Sequence, residues 1–368
     1  MNIVLYRRRV SLTSGAGQLI RMQARALAAA GHRVQVSARR GVLKLLLTSG
    51  WRINRHTRAA LKRIAASPAT LLVDHGAELP EADLVFVHNL LSEGVRYLQR
   101  SDWVNAAAQE RAFFKALNSD APVVANSRLV ERALVEHFGL SPQRIVVHYP
   151  GFDSQRFHPN LRTGALRQRS RHALGLTEAV PLIGFVTSGE LDKRGLDVFL
   201  DTATRIAQEK DNARFLVVGA KRLPSWAADH RLVSTGRLMY RPKDRTPQRW
   251  FAALDLFLFP ARFEEFGIVI SEAQACGIPV LTSRRVGASE CLPPEYDPWI
   301  IEAPEADAFA AKVLALLDDP ATRAQLAAAG IASSVTLDDR SYVRETVETI
   351  VRCAGDKLTG AKTAGRAS

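Results

Sequence analysis

Residues 256–282 read LFLFPARFEEFGIVISEAQACGIPVLT, and this stretch constrains the fold more than any other. Leu256 to Phe259 is a short apolar run with strand character. Phe266, Gly267, Ile268 and Val269 open a helical pattern, Cys276-Gly277-Ile278-Pro279 stops it, and Val280-Leu281-Thr282 resumes a strand. Strand, loop, helix and strand within about 30 residues make a βαβ unit. The loop after such a strand, at the start of a helix, is where an α/β protein holds a phosphate. Glu264 and Glu272, with seven residues between them, bracket that place. Carboxylates accept hydrogen bonds from sugar or ribose hydroxyls, and free backbone N–H groups hold a diphosphate. The implied ligand is a nucleotide sugar.

The rest of the chain sets the frame. Its 368 residues, 47% hydrophobic, suffice for two domains with real cores. No run approaches the roughly 20 apolar residues of a membrane span. The apolar strand at Asn2 to Tyr6 precedes Arg7-Arg8-Arg9, the reverse of the order in an export signal. Cys276, Cys291 and Cys353 are widely spaced and odd in number, which suits a reducing cytoplasm rather than a disulfide framework. Neither the cysteines nor the histidines have metal-ligand spacing, so no metal is expected.

Charge is unevenly placed. The first 73 residues carry 14 Lys and Arg and no Asp or Glu, so the whole net excess of +13 sits there. A basic surface attracts polyanions. No nucleic-acid module is visible and aromatics are sparse, so an anionic lipid surface or a phosphorylated glycolipid is the expected partner and nucleic acid is not. Residues 41–66 sharpen the point: Val42, Leu43, Leu45, Leu46, Leu47 and Trp51 alternate with Lys44, Arg52, Arg55, Arg58, Lys62 and Arg63. This reads either as an interfacial helix or as a core helix with a solvated basic face.

Along the chain, strands and helices alternate, which implies parallel sheets covered on both faces. In the first half strands are expected at 2–6, 34–36, 70–73, 84–87, 123–125 and 145–147, and in the second at 182–186, 214–218, 232–234, 256–259 and 280–281. The polar, basic stretch 156–179 separates the halves and places the boundary near residue 158. The expected organisation is a first domain over 1–158, a second over 159–338, a helix over 339–353 and a disordered tail over 354–368.

The 264–280 segment, EEFGIVISEAQACGIPV, resembles the Glu-x7-Glu signature of retaining GT-B glycosyltransferases of family 4, the glycosyl transferases group 1. In character it is similar to the enzymes of lipopolysaccharide core and envelope polysaccharide synthesis. Glu265 departs from the usual small residue. The resemblance extends to Gly15-Ala16-Gly17 with Gly31-His32-Arg33-Val34, to Ala125-Asn126-Ser127, and to Arg156-Phe157-His158-Pro159; residues 88–122 match poorly. It implies an α/β GT-B fold, two Rossmann-like domains with parallel sheets facing across a cleft, and a last helix that crosses back to the first domain. It also implies front-side transfer of a hexose from a UDP- or GDP-linked donor, with no metal or further cofactor. The acceptor would be a glycolipid or oligosaccharide, and the setting the inner face of the cytoplasmic membrane. A soluble member of the same class with a small acceptor is the nearest alternative, and a non-catalytic basic nucleotide- or nucleic-acid-binding protein the more distant one.

The candidate residues follow. Glu264 would bind the transferred sugar and steady charge on its anomeric carbon, as the resemblance implies, and Glu272 the ribose. The N–H groups of Phe266, Gly267, Ile268 and Val269 would hold phosphate or sugar. Lys193 and Arg194, in a loop with Gly189 that follows a strand and opens a helix, would neutralise the departing diphosphate. Gly15 and Gly17 permit close backbone approach, but Ile20 stands where a dinucleotide fingerprint has its third glycine, and no acid follows to hold a nicotinamide ribose. Lys221 and Arg237 are secondary donor candidates. His88, at the end of a strand, is either a sugar ligand or a packed residue.

Overall fold

The structure is a computed structural model and describes residues 1–10, 15–38, 40–41, 53–54, 56–187, 189–243 and 245–364. Within the basic segment at 41–66, residues 42–52 and 55, including Trp51 and the leucines from Leu43 to Leu47, lie outside the described residues. The chain forms two compact units, Met1–Tyr149 with the stretch from Arg340 onward, and Pro150–Asp339. The division falls earlier than residue 158 for a local reason. Phe152 N–H donates to the Leu337 carbonyl (3.0 Å) and Asp339 N–H to the Phe152 carbonyl (2.9 Å), which ties the segment after Pro150 to the end of the second unit.

In the first unit, strands β1 (Asn2–Tyr6), β2 (Arg33–Ser37), β3 (Ile53–Asn54), β4 (Thr70–Asp74), β5 (Leu84–Val87), β6 (Val123–Ala125) and β7 (Ile145–Val147) form one sheet in the order β3-β2-β1-β4-β5-β6-β7. Every pairing is parallel. The central strands are near-continuous apolar runs, as a sheet covered on both faces requires, and Leu71, Leu72, Val73, Leu84 and Val85 are fully buried. Each such side chain contributes about 1.5–3 kcal/mol of burial.

Helix α1 (Gly15–Ala29) packs Ile20, Ala24 and Leu27 onto this sheet. The C-terminal helix, Asp339–Ala364, adds Ile350, Cys353 and Ala354 to the same core. It runs well past Cys353, which corrects the expectation of a disordered tail for 354–364. Lys357 supplies the reason: its ammonium donates to the carbonyls of Ala65 (2.7 Å) and Thr70 (2.9 Å) and to the Asp83 carboxylate (2.7 Å).

The second unit carries β8 (Leu182–Val186), β9 (Arg214–Gly219), β10 (Leu238–Pro242), β11 (Leu256–Phe259) and β12 (Val280–Thr282), all parallel, in the order β10-β9-β8-β11-β12. The expected strand at 232–234 is instead a short helix, Arg231–Ser234, whose Leu232 N–H is capped by the His230 ring. The edge strand follows it, and its Arg241 and Pro242 suit an edge rather than a central position. A helix the sequence pattern did not announce, Ala165–His172, lies in the basic stretch. Its Arg171 is almost fully buried and donates to the Ala253 and Thr177 carbonyls (2.7 and 2.6 Å) and to Asp255 (3.2 Å). Among the described residues no helix is long and apolar enough to cross a membrane.

Candidate active site

In an open parallel sheet, ligands bind beyond the carboxyl ends of the strands where the strand order reverses. In the second unit that point lies between β8 and β11. Two loops leave it: one from β8 to helix α2 (Leu196–Glu209), the other from β11 to helix α3 (Ile268–Ala275).

Their backbones touch directly. Gly195 has φ +75°, and a Cβ there would stand 2.1 Å from the Pro260 carbonyl oxygen, so only glycine fits. Arg262 N–H donates to the Lys193 carbonyl (3.1 Å). The Arg262 guanidinium forks onto Asp197, in the first turn of α2, with contacts of 2.6 and 2.5 Å.

The charged residues then fall into two pairs. Arg194 Nη2 lies 3.2 Å from Glu264 Oε1 and 3.0 Å from Oε2. The Oε2 contact is an ion pair without hydrogen-bond alignment, which leaves that buried oxygen available to a hydroxyl. Gly189 makes room for this pair, because a Cβ there would come within 2.3 Å of the Arg194 guanidinium carbon. Lys193, expected beside the diphosphate, is placed differently. It is 5% exposed, its Nζ is 2.5 Å from Oε2 of Glu265, itself 2% exposed, and it lies 5.7 Å from the centroid of the Phe263 ring.

Helix α3 begins at Gly267, whose φ of +90° turns the chain sharply. The N–H groups of Gly267, Ile268 and Val269 have no acceptor among the described residues, and the helix dipole adds a partial positive charge at that end. The loop is braced from behind: Glu264 N–H donates to the Arg285 carbonyl (3.0 Å), and Gly287 and Ala288 N–H donate to the Glu264 and Phe266 carbonyls (3.0 and 2.7 Å). Glu272 sits on α3 and keeps some surface, yet desolvation around its carboxyl outweighs everything else and pushes it up to about 8; Arg156 opposes this and Asp153 adds to it. Among the described residues no side chain hydrogen-bonds this carboxyl, so it awaits donors. Arg156 is held by its own bonds to the Arg245 carbonyl (3.0 Å) and Gln248 (3.1 Å).

The remaining candidates separate by position. Lys221 is exposed just beyond β9, at the ligand edge. Arg237 is not at that edge. It precedes β10 at the opposite end of the sheet, and it donates to the Ala207 (2.8 Å) and Lys210 (2.7 Å) carbonyls at the end of α2, so it closes a helix terminus instead of holding a donor.

Gly15, Gly17 and His88 belong to the first unit. Gly15 and Gly17 open α1, and the four residues before it lie outside the described ones. There the strand order reverses between β1 and β4. Asp74, at the end of β4, is buried and accepts from the N–H groups of Gly76, Glu78 and Leu79 (2.9, 2.6 and 2.7 Å), yet burial pushes its carboxyl up to about 7. His75 Nδ1 lies 3.2 Å from His88 Nε2, and the His75 ring stacks on Phe86 at 4.5 Å. Burial, reinforced by Arg7, drives His88 down to about 3, so its imidazole is neutral at ordinary pH.

Sequence reasoning missed Arg156 as the cation facing Glu272, and the Asp197–Arg262 fork. The first lies 116 residues before Glu272, in the Arg156-Phe157-His158-Pro159 stretch, where nothing local marks its partner. The second joins residues 65 apart in sequence, and no local pattern announces it.

Two sheets of Rossmann-like topology define an α/β fold of GT-B type. Residues 180–319, which contain both loops, match the family model described as Glycosyl transferases group 1. The solved structure of WaaG, a glycosyltransferase involved in lipopolysaccharide biosynthesis, is similar over 95% of this chain and 99% of its own, with TM-score 0.77 and 20% identity. Anabaena HepE, solved with UDP-glucose, gives TM-score 0.74 at 17% identity over 96% of this chain and all of that one (100%).

Among curated relatives, a GDP-mannose-dependent monoacylated alpha-(1-6)-phosphatidylinositol monomannoside mannosyltransferase of Corynebacterium glutamicum is 33% identical over 50% of this chain and 50% of its own length. A D-inositol 3-phosphate glycosyltransferase of Thermomonospora curvata is 31% identical over 58% of this chain and 53% of its own. The chain spans about half the length of the curated relatives it matches.

Proposed function

We propose that this protein is a glycosyltransferase that moves a hexose from a nucleoside diphosphate sugar to a bacterial envelope glycan with retention of anomeric configuration. The observation that carries this reading is the Arg194–Glu264 pair at the strand-order reversal of the second sheet, beside the unpaired N–H groups that open α3. The diphosphate lies on Arg194 and those N–H groups, the ribose hydroxyls on Glu272, and the transferred sugar on Glu264. The bond from anomeric carbon to phosphate oxygen breaks, the acceptor oxygen bonds to that carbon from the same face, and the departing diphosphate takes the acceptor's proton. Fixed positive charge stabilises the leaving group as its own charge grows, the service a divalent metal gives elsewhere. Neutral His88, on the first unit, contributes a hydrogen bond to the acceptor rather than a charge.

The match of 180–319 to the glycosyl transferases group 1 model supports the donor half. The acidic-residue-free, basic first 73 residues support an anionic acceptor or lipid surface, and hence action at the inner face of the cytoplasmic membrane. A second reading, transfer to a small phosphorylated polyol without a membrane, is favoured by the relatives whose names specify D-inositol 3-phosphate. Thermal-shift screening of UDP- and GDP-sugars tests the donor. Flotation with liposomes containing or lacking anionic lipid separates the two acceptor readings. If no nucleotide sugar raises the melting temperature at a hundredfold excess over a micromolar affinity, where about 2.7 kcal/mol of stabilisation is due, the donor reading fails.

A further inference from the structure

We propose that Lys193 and Glu265 are an internal clamp joining the two donor loops, and that Glu265 is the positioning residue that holds Arg194 and Glu264 in register for the diphosphate sugar. This rests on the reading just given and deepens it.

The two ion pairs are neighbours in sequence and differ in depth. The inner one, Lys193 with Glu265, is 5% and 2% exposed. In the outer one the Arg194 and Glu264 side chains keep 19% and 12% of their surface. An anion entering from solvent meets the outer pair. To reach Lys193 it would have to break a buried contact of 2.5 Å and leave the Glu265 carboxylate desolvated without its counter-ion. The Phe263 ring, 5.7 Å from the same ammonium, completes the enclosure.

The clamp also sits where the loops are already joined. The Lys193 carbonyl accepts from Arg262 N–H at 3.1 Å, and Gly195 abuts Pro260. With residues 193 and 265 locked, each pair partner's sequence neighbour, Arg194 or Glu264, has little freedom except at its tip. The outer pair can then exchange: Arg194 leaves Glu264 for phosphate, and Glu264 turns to sugar hydroxyls, while the inner pair stays closed.

The test is a double-substitution cycle on the full chain, read both as melting temperature and as calorimetric affinity for UDP and GDP. The variants are Lys193→Met, Glu265→Leu, the apolar pair Lys193→Met with Glu265→Leu, and Arg194→Ala for reference. Each single change of the inner pair should lower the melting temperature and weaken the nucleotide by about tenfold, and the apolar pair should recover most of both, because two buried charges replaced together leave none unpaired. Arg194→Ala should lose affinity by at least about tenfold with little change in melting temperature. Recovery of melting temperature without recovery of affinity in the apolar pair would mean that Lys193 grips the diphosphate itself, and would overturn the proposal. Additive effects of the two single changes on both readouts would overturn it too. Wild-type protein that binds neither nucleotide would instead sink the donor reading on which the proposal rests.

Discussion

Arg194 and Glu264 satisfy each other across two loops, with Nη2 3.0 Å from one carboxylate oxygen and 3.2 Å from the other. The contact holds two groups of opposite task in one place. The guanidinium suits a phosphate, the carboxylate suits sugar hydroxyls, and a donor that brings both replaces one contact with two.

Removing either group therefore acts on turnover. Arg194→Ala and Glu264→Ala should each lower kcat/KM for the donor by about a hundredfold or more, the usual cost of losing one fixed electrostatic contact to a transition state. Steady-state assays of sugar transfer or donor hydrolysis check this. Wild-type rates in either variant would disprove the site.

Glu272 gives the site a pH signature. Its carboxyl is pushed up to about 8, and ribose hydroxyls that donate to it favour the charged form, so binding releases protons. Nucleotide affinity should rise from about pH 6.5 to about pH 8.5, and Glu272→Gln should flatten the curve. For the empty protein the sign is opposite. A carboxyl raised from 4.5 to about 8 contributes stability that is present at low pH and lost as pH rises through the folded value. Calorimetry in buffers of different ionisation heat measures the protons released, and none released at pH 7.5 would contradict the assignment.

Gly195→Ala separates backbone strain from steric exclusion. Gly175 also has positive φ, +71°, but a Cβ there meets nothing within 4 Å. Gly175→Ala should cost about 1 kcal/mol and spare nucleotide binding. Gly195→Ala must push the Pro260 carbonyl aside, and should cost roughly 2–3 kcal/mol or more and weaken the nucleotide as well. Urea denaturation of both variants decides between them, and equal costs would show that the Pro260 contact yields easily.

Lys357 anchors the last helix to the first unit. Lys357→Met leaves the Asp83 carboxylate, which also accepts from Leu72 N–H at 2.7 Å, without its cation. The substitution should destabilise the first unit by roughly 3 kcal/mol, and adding Asp83→Asn should recover part of that. Hydrogen exchange that loosens β4 and the end of the last helix together would localise the effect.

How far the sequence reveals this molecule depends on how local each determinant is. The βαβ unit around Glu264 and Glu272 is local: apolar runs, a glycine turn and a Gly-Ile-Pro stop lie within one stretch, and strands β11 and β12 and helix α3 fall there. The parallel sheets were legible for the same reason. Strand β10 was not, because an edge strand carries Arg241 and Pro242 in place of an apolar run, and the nearby Leu232-Val233 was the more strand-like text.

Helix Ala165–His172 was hidden because its stability comes from Arg167 and Arg171 reaching Asp255 and the carbonyls of residues 252–254, not from an apolar stripe. Lys193 and Arg194 look interchangeable in sequence. Only packing shows that one faces inward to Glu265 and the other outward to Glu264. Arg237 misled for a related reason: proximity to a strand in sequence does not say which end of the sheet a cation occupies.

The central claim is that one cradle on the second unit takes an activated sugar. The most direct measurement is a crystal structure of the protein with UDP-glucose or GDP-mannose. The account predicts the diphosphate within about 3 Å of Arg194 and of the N–H groups of Gly267, Ile268 and Val269, with the ribose on Glu272 and Arg194 drawn off Glu264. A donor bound elsewhere, with the Arg194–Glu264 pair still closed, would contradict it.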